Sequence, residues 1–561
     1  MKHHHINILN RRDFMSTVGK AGLAAALASV SNVPGFLKQA MAEGTIGNGK
    51  KVLFIWLRGA NDSLNSVIPI EDSAYLTSRP SIGIPKDAGT TYGTSGIPCD
   101  FTPSGSASTY GNYPFGVRLG NGFAALHPSL KFLAPVYNAG HLALIHRVGY
   151  PKQSRSHFDS QNYWENGNPN NNLSKDGIFY RTIVQSGLAG QGVTGVSIQN
   201  SLPLILRGSA AAMTNLTDPQ RYDLFGVPSS ATPGSDGKAT NALTQANGYT
   251  FTPKQNRELL YNQYASLQQT LKEFANINFT EAGNIYQDDA PGGVKTDGDN
   301  TWVPINAGGG SIGDSAKGYF LFPTSNDKNG GWRRPDTTVN GNKYVVNPNH
   351  QSFFYNLRAA ALVLNNTSAI IAGTELGGFD THLQQVQGTL ASNQSVLGNH
   401  ADLQRVIGWS MYALRKYFTL YANQASWNNV VVVTLSEFGR TSRENNDNGT
   451  DHAEANAMWV AGGSVKGYGA GNPSGVFNCS PGDAIPWVTG AVGSMFGVSG
   501  SYLKRTTDFR SVLGEIIRKH LGATQNQLNQ IIPGYATAGE NLLSGGTSTD
   551  GTAIRGEVGF L

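Results

Sequence analysis

Apolar residues along this chain gather in short unbroken runs rather than in alternating ones. "KVLFIWL" (Lys51–Leu57), "LALIHRV" (Leu142–Val148), "SAIIAGT" (Ser368–Thr374) and "NVVVVTL" (Asn429–Leu435) each predict a strand, and "MWVA" (Met458–Ala461) a further one. Continuous apolarity is what a strand buried on both faces requires. Helical spacing separates the runs. "HPSLKFLAPVYNAG" (His127–Gly140) puts Leu130, Leu133, Ala134 and Tyr137 on one face. "FFYNLRAAALVLNN", "LQRVIGWSMYALRKYFTLYANQ" and "DFRSVLGEIIRKHLG" (Asp508–Gly522) repeat the pattern. Strand alternating with helix predicts an α/β fold: a doubly wound, mostly parallel sheet with helices on both faces. Between about residues 203 and 348 the pattern loosens into stretches rich in Gly, Ser, Thr, Asp and Asn. This predicts a loop-rich insertion around one or two helices, one of them Thr252 to Asn276.

The first 42 residues have a different character. They carry paired arginines (Arg11, Arg12), a short mild apolar run from Ala21 to Val30, Lys38, and small residues at Ala40 and Ala42. Together these resemble a twin-arginine export signal, which predicts use of the Tat export machinery and a periplasmic or secreted mature chain, residues 43–561. The signal holds five basic residues against one acidic, so of the net +5 only +1 remains in the mature chain. No basic stripe is left for nucleic acid, and no apolar run is long enough to span a bilayer. Only 14% of residues are charged and 69 are Gly, which fits an exported protein with long loops. The two cysteines, Cys99 and Cys479, lack metal-ligand spacing; a disulfide between them is left open.

Ligands of open α/β sheets bind beyond the carboxyl ends of the strands, and the polar clusters of this chain follow strands. Asn61-Asp62 follows the first. Ser154, Arg155, Ser156 and His157 follow the second, where a serine also suits a helix cap. Asp380 and His382 follow the third, two apart and therefore on one face of an extended segment. Glu437 follows the fourth, with Asp451 and His452 shortly after. Carboxylates and imidazoles meeting at one edge would repel and desolvate one another unless a cation joined them. The expected metal ligands are Asp62, Asp380, His382, Glu437, Asp451 and His452. Mixed His and carboxylate donors favour Zn, Mn or Fe over Mg or Ca, as one or two divalent ions.

The segments "LRGANDSLNSVIP", "HPSL…HLALIHRVGYPKQSRSHFDSQNYW", "GGFDTH", "SEFGRT" and "GTDH" resemble the bacterial domain-of-unknown-function 1501 family, grouped with the alkaline phosphatase and sulfatase superfamily. The resemblance implies an alkaline phosphatase-like fold and a hydrolase of phosphate- or sulfate-type esters. It implies a serine nucleophile at a helix N-terminus, Ser156 in preference to Ser154, with Arg155 and the helix end holding a small anionic ester or surface polymer. It further implies one metal shared by Asp380, His382 and His452, and a second shared by Asp62 and Glu437. Two departures stand out. Phe438 follows Glu437 where the superfamily commonly has Asp-His, and "PKQSR" lacks the sulfatase cysteine pattern. The competing reading is a non-catalytic surface or matrix protein that keeps the fold, with or without a structural metal.

Overall fold

The computed structural model describes residues 46–86, 115–188, 193–219 (apart from 210 and 212), 348–386, 398–469, 474–488, 501–537 and 540–561 (apart from 549 and 550), with short pieces between 270 and 345. The expected export signal, Cys99 and most of the 203–348 segment, including nearly all of the helix expected over Thr252–Asn276, lie outside the described residues. Cys479 is buried.

The central sheet has nine strands: β1 (Lys51–Leu57), β2 (Leu142–Gly149), β3 (Gly195–Ile198), β4 (Thr214–Leu216), β5 (Ile371–Leu376), β6 (Val430–Leu435), β7 (Asn456–Gly462), β8 (Val476–Phe477) and β9 (Thr507–Asp508). Their order is β8-β2-β7-β6-β1-β5-β3-β4, with β9 also beside β2. The pairs β6/β1, β1/β5, β5/β3 and β3/β4 are parallel, as are β8/β2 and β9/β2. Only β7 runs against its neighbours, β6 and β2. The sheet is therefore mixed but mostly parallel. The reversal of β7 matters for function, because the chain leaves β6 and enters β7 at the same edge. Residues 436–455 then form a loop that never leaves the carboxyl end of β6.

Each unbroken apolar run supplies two cores at once. Along β1, Leu53, Ile55 and Leu57 face one core while Val52, Phe54 and Trp56 face the other; β6 divides likewise, with Val430 and Val432 on the first side and Val431, Val433 and Leu435 on the second. This is the two-residue repeat of a strand covered on both faces. The helices are α1 (Ala134–Asn138), α2 (His157–Asn166), α3 (Ile178–Gln185), α4 (Pro348–Asn366), α5 (Asn399–Lys416) and α6 (Phe509–Glu515). The first core packs α1, α4 and α5 against the sheet, and the second packs α2, α3 and α6. Helix α1 is shorter than its periodicity predicts, because residues Pro128–Leu133 wind as a 3₁₀ helix before it. Helices α5 and α6 each pass into a π-helical turn, Tyr417–Tyr421 and Ile516–His520. Asp508 caps α6, accepting from the Arg510 amide. No helix among the described residues is long and apolar enough to cross a membrane.

His520 ties the last turn to the sheet by a 3.0 Å bond from Nε2 to the carbonyl of Lys51. Its burial pushes the imidazole pKa down from 6.5 to about 4. A depressed folded pKa means that its contribution is intact above pH 6.5 and is lost as pH falls toward 4. Between pH 7 and 4.5 the parent should lose roughly 2–3 kcal/mol through this group alone. Urea unfolding at the two pH values should show a smaller loss in His520→Gln. An equal loss in both proteins would refute the assignment.

Candidate metal centre

The site forms where three loops meet above β1, β5 and β6. After β1, Gly59 takes a left-handed φ of 109°, and a Cβ there would sit 2.5 Å from the amide of Asp380. The missing side chain lets the loop after β5 close against the loop after β1. After β6 the chain doubles back on itself. The Gly439 amide donates to the Glu454 carbonyl (2.7 Å), Ala453 to Gly439 (2.9 Å) and Thr441 to Asp451 (2.9 Å). This short ladder sets His452 opposite Arg440. The loop tip fastens to the 381–385 segment through Thr450 to Thr381 (3.1 Å) and Gln385 to Asn448 (2.9 Å). Gly449 is required there, since a Cβ would lie 2.2 Å from the His382 carbonyl oxygen.

Arg440 is the hub of the meeting point. It is almost fully buried, and its guanidinium donates to the carbonyls of Gly59, Ala60 (2.9 Å), Phe379 (3.3 Å) and Thr450 (3.0 Å), and to Asp380 Oδ1. One side chain thus joins all three loops. Its charge pairs with Asp380.

Around Asp380 stand three imidazoles. His157, Asp380 and His452 each present a ligand atom within 4.8 Å of the others. His452 Nε2 lies 3.1 Å from His157 Nε2, 2.9 Å from His382 Nε2 and 3.2 Å from Asp380 Oδ1. His382 Nε2 is 3.1 Å from Asp380 Oδ1, and His157 Nε2 is 3.3 Å from Asp380 Oδ2. Each ring is also held from behind. His157 Nδ1 donates to Glu437 Oε1 (2.9 Å), His382 Nδ1 to Asp451 Oδ1 (3.0 Å), and His452 Nδ1 to the carbonyl of Arg155 (2.9 Å). All three partners are acceptors, so each Nδ1 carries a proton, and in the neutral ring each Nε2 keeps a lone pair. The lone pairs then face one another and a carboxylate at about 3 Å. Donors ~2.1 Å from a shared ion at tetrahedral angles lie ~3.4 Å apart. The donor set therefore fits a divalent cation, and the histidine-to-carboxylate backing is the usual support of such ligands.

The charges are consistent with this. Burial pushes the Asp380 carboxyl up, but Arg440, by hydrogen bond and by charge, outweighs it and holds the pKa down to about 2. Glu437 is buried, which raises its pKa, yet the bonds from His157 and Gln161 bring it below the usual carboxylate range. Asp451 is also depressed: the bonds from Asn445 and His382 outweigh its burial. His157 is raised, first by its bond to Glu437, whereas burial and then the Arg440 charge lower His452. Phe438, which cannot bind metal, forms an apolar wall with its ring centroid 4.8 Å from those of both His157 and His452.

The structure regroups the expected residues. Asp380, His382 and His452 come together, with Asp451 behind His382. His157, expected as part of the catalytic segment, joins the ligand cluster. Glu437 backs His157 and also accepts from the Gly59 amide (2.9 Å) and Gln161 Nε2 (3.0 Å). Asp62 is not brought to the cluster. It is fully buried and bound by Arg79 (2.6 Å) and Gln385 (2.6 Å), and burial, which raises its pKa, is outweighed by Arg79. A buried carboxylate needs a counter-charge, and Arg79 supplies it. Of the pair expected to share a second metal, Asp62 is committed to Arg79 and Gln385, whereas Glu437 takes its bonds at Oε1 and its buried Oε2 has no hydrogen-bond partner among the described residues. The serines serve the backbone. Ser156 Oγ caps α2 by accepting from the Asp159 amide (3.4 Å), and Ser154 Oγ accepts from the Ser156 amide (3.2 Å). Arg155 is exposed, with its guanidinium 4.6 Å from the Tyr502 ring. Sequence reasoning missed Gln161 and Arg79. Gln161 had a signal, since it lies four residues after His157 on one helix face; Arg79 had none.

Residues 343–474 match the family model of a protein of unknown function, DUF1501. The match bears out the family resemblance over this stretch. It holds Asp380, His382, Glu437, Arg440, Asp451 and His452, whereas His157 and Asp62 lie before it. No curated protein and no solved structure matches the chain.

Two variants separate the roles of the acidic residues. Glu437→Gln keeps the shape behind His157 but removes the charge, and metal affinity should fall ~10–100-fold in a competition titration. Asp62→Ala strands the buried Arg79 and should cost about 3–5 kcal/mol in chemical unfolding. Its metal content should stay at the parent level; a loss would return Asp62 to the ligand set.

Proposed function

We propose that the protein is an exported, metal-dependent hydrolase of phosphate- or sulfate-type esters, working with a single divalent ion held by His157, Asp380 and His452 and flanked by His382. One observation carries this reading: three imidazole Nε2 atoms and a carboxylate converge while every Nδ1 is already committed to an acceptor. Three imidazoles favour Zn, Mn or Fe over Mg or Ca. When bound, the ion would supply Lewis-acid polarisation of the ester. The chain's own residues bind and orient. Glu437 and Asp451 fix the ring tautomers, Arg440 fixes Asp380, and Phe438 keeps water from one side of His157 and His452. Arg155, exposed beside the cap of α2, is the cation available to an anionic ester. The kinship to alkaline phosphatases and sulfatases rests on the sequence motifs, and the twin-arginine route on residues 1–42. The serine nucleophile stays part of the proposal only through Ser156, whose hydroxyl lies next in sequence to a ligand.

A second reading, a non-catalytic surface or matrix protein, is favoured by one feature. Arg440 already neutralises Asp380 from inside the protein, as a retired metal site would need.

Element analysis of the purified mature chain should find about one divalent ion per protein. Asp380→Ala and His452→Ala should lower that content while circular dichroism stays unchanged. Phosphomonoesters, phosphodiesters and sulfate esters should include a substrate whose hydrolysis falls ~10²-fold or more in His452→Ala. Unchanged metal content in both variants would end the proposal. Metal that binds without hydrolysis of any ester class would favour the scaffold.

A further inference from the structure

A cavity of about 600 Å³ opens at the carboxyl ends of β3, β4 and β5, apart from the metal centre. Gln199, Asp218, Tyr355, Asn356, Glu375 and Asn399 are among its lining residues. Its size lies within the ~300–1,000 Å³ range of small-molecule sites. Its position, beyond strand ends at the sheet edge, is where α/β folds bind ligands. Gly377 and Gly378 line it, and Asp380 follows two residues later, so cavity and metal centre share that edge.

The lining chemistry narrows the ligand. Among the described residues His350 and two carboxylates line the cavity, one of the carboxylates paired with Arg58, and no lysine or arginine does, so the guanidinium fork that favours phosphate and sulfate is missing there. Glu375 is held from one side: Arg58 Nε (2.9 Å) and Gln199 Nε2 (3.3 Å) both donate to its Oε2. Gln199 is 5% exposed, and its Oε1 has no hydrogen-bond partner among the described residues. Side-chain amides offer both donors and acceptors, carboxylates accept, and the half-buried Tyr355 adds an aromatic surface. Closely spaced hydroxyls on an uncharged ring, each both donor and acceptor, match this set. We propose that the cavity is a binding site for a neutral saccharide.

The proposal is independent of the metal reading. Calorimetric titration of the mature chain with glucose, N-acetylglucosamine, glucuronate and glucosamine tests it. At least one of the two neutral sugars should bind, with glucuronate at least ~10-fold weaker, equivalent to about 1.4 kcal/mol. Gln199→Leu and Asn356→Leu should each weaken binding several-fold with circular dichroism unchanged, and EDTA should leave binding intact. Two variants guard against one failing to fold. Absence of neutral-sugar binding at tens of millimolar would overturn the inference. Tighter binding of glucuronate or glucosamine, or insensitivity to both variants, would do the same.

Discussion

Three imidazole rings cannot hold bare lone pairs against one another at about 3 Å without something positive nearby, and the structure is built around that constraint. Each ring is pinned from behind by an acceptor, so the contact is relieved by a proton or a cation at Nε2 and not by a turn of the ring. Pinning of this kind costs side-chain entropy and the desolvation of Glu437. The same pinning makes a ready receptor for a divalent ion, because the donors need no reorganisation when it arrives.

Arg440 is the second half of the design. Its guanidinium takes carbonyls from the loops after β1 and β5 and from the β6–β7 loop, so the geometry of the cluster depends on one buried cation. It also carries charge into a site rich in carboxylates. Both functional readings follow from this double role: the residue that shapes the cluster also supplies part of the charge compensation that a metal would bring.

The sheet edge has two chemically distinct regions. At the ends of β1, β5 and β6 lie imidazoles backed by carboxylates. At the ends of β3, β4 and β5 lies a cavity lined by amides, carboxylates and His350, without a lysine or arginine among the described residues. Strand β5 borders both: Glu375 lies on the strand, and Asp380 follows its end.

Much of this was legible in the residue pattern. Unbroken apolar runs announce strands covered on both faces, because every position must face a core, and Leu53 to Trp56 divide between two cores as that rule requires. Polar clusters after those runs mark the functional edge, because strand ends are where backbone order gives way to exposed side chains. The tertiary structure decided which polar residues meet. Asp62 and Glu437 each follow a strand, yet Arg79 takes the first and His157 the second. His157 joined the cluster through the placement of α2. His452 returned to the edge because β7 runs antiparallel to β6. Local sequence fixes periodicity and burial over a few residues. The pairing of charges between segments tens to hundreds of residues apart is set by the packing that brings them together.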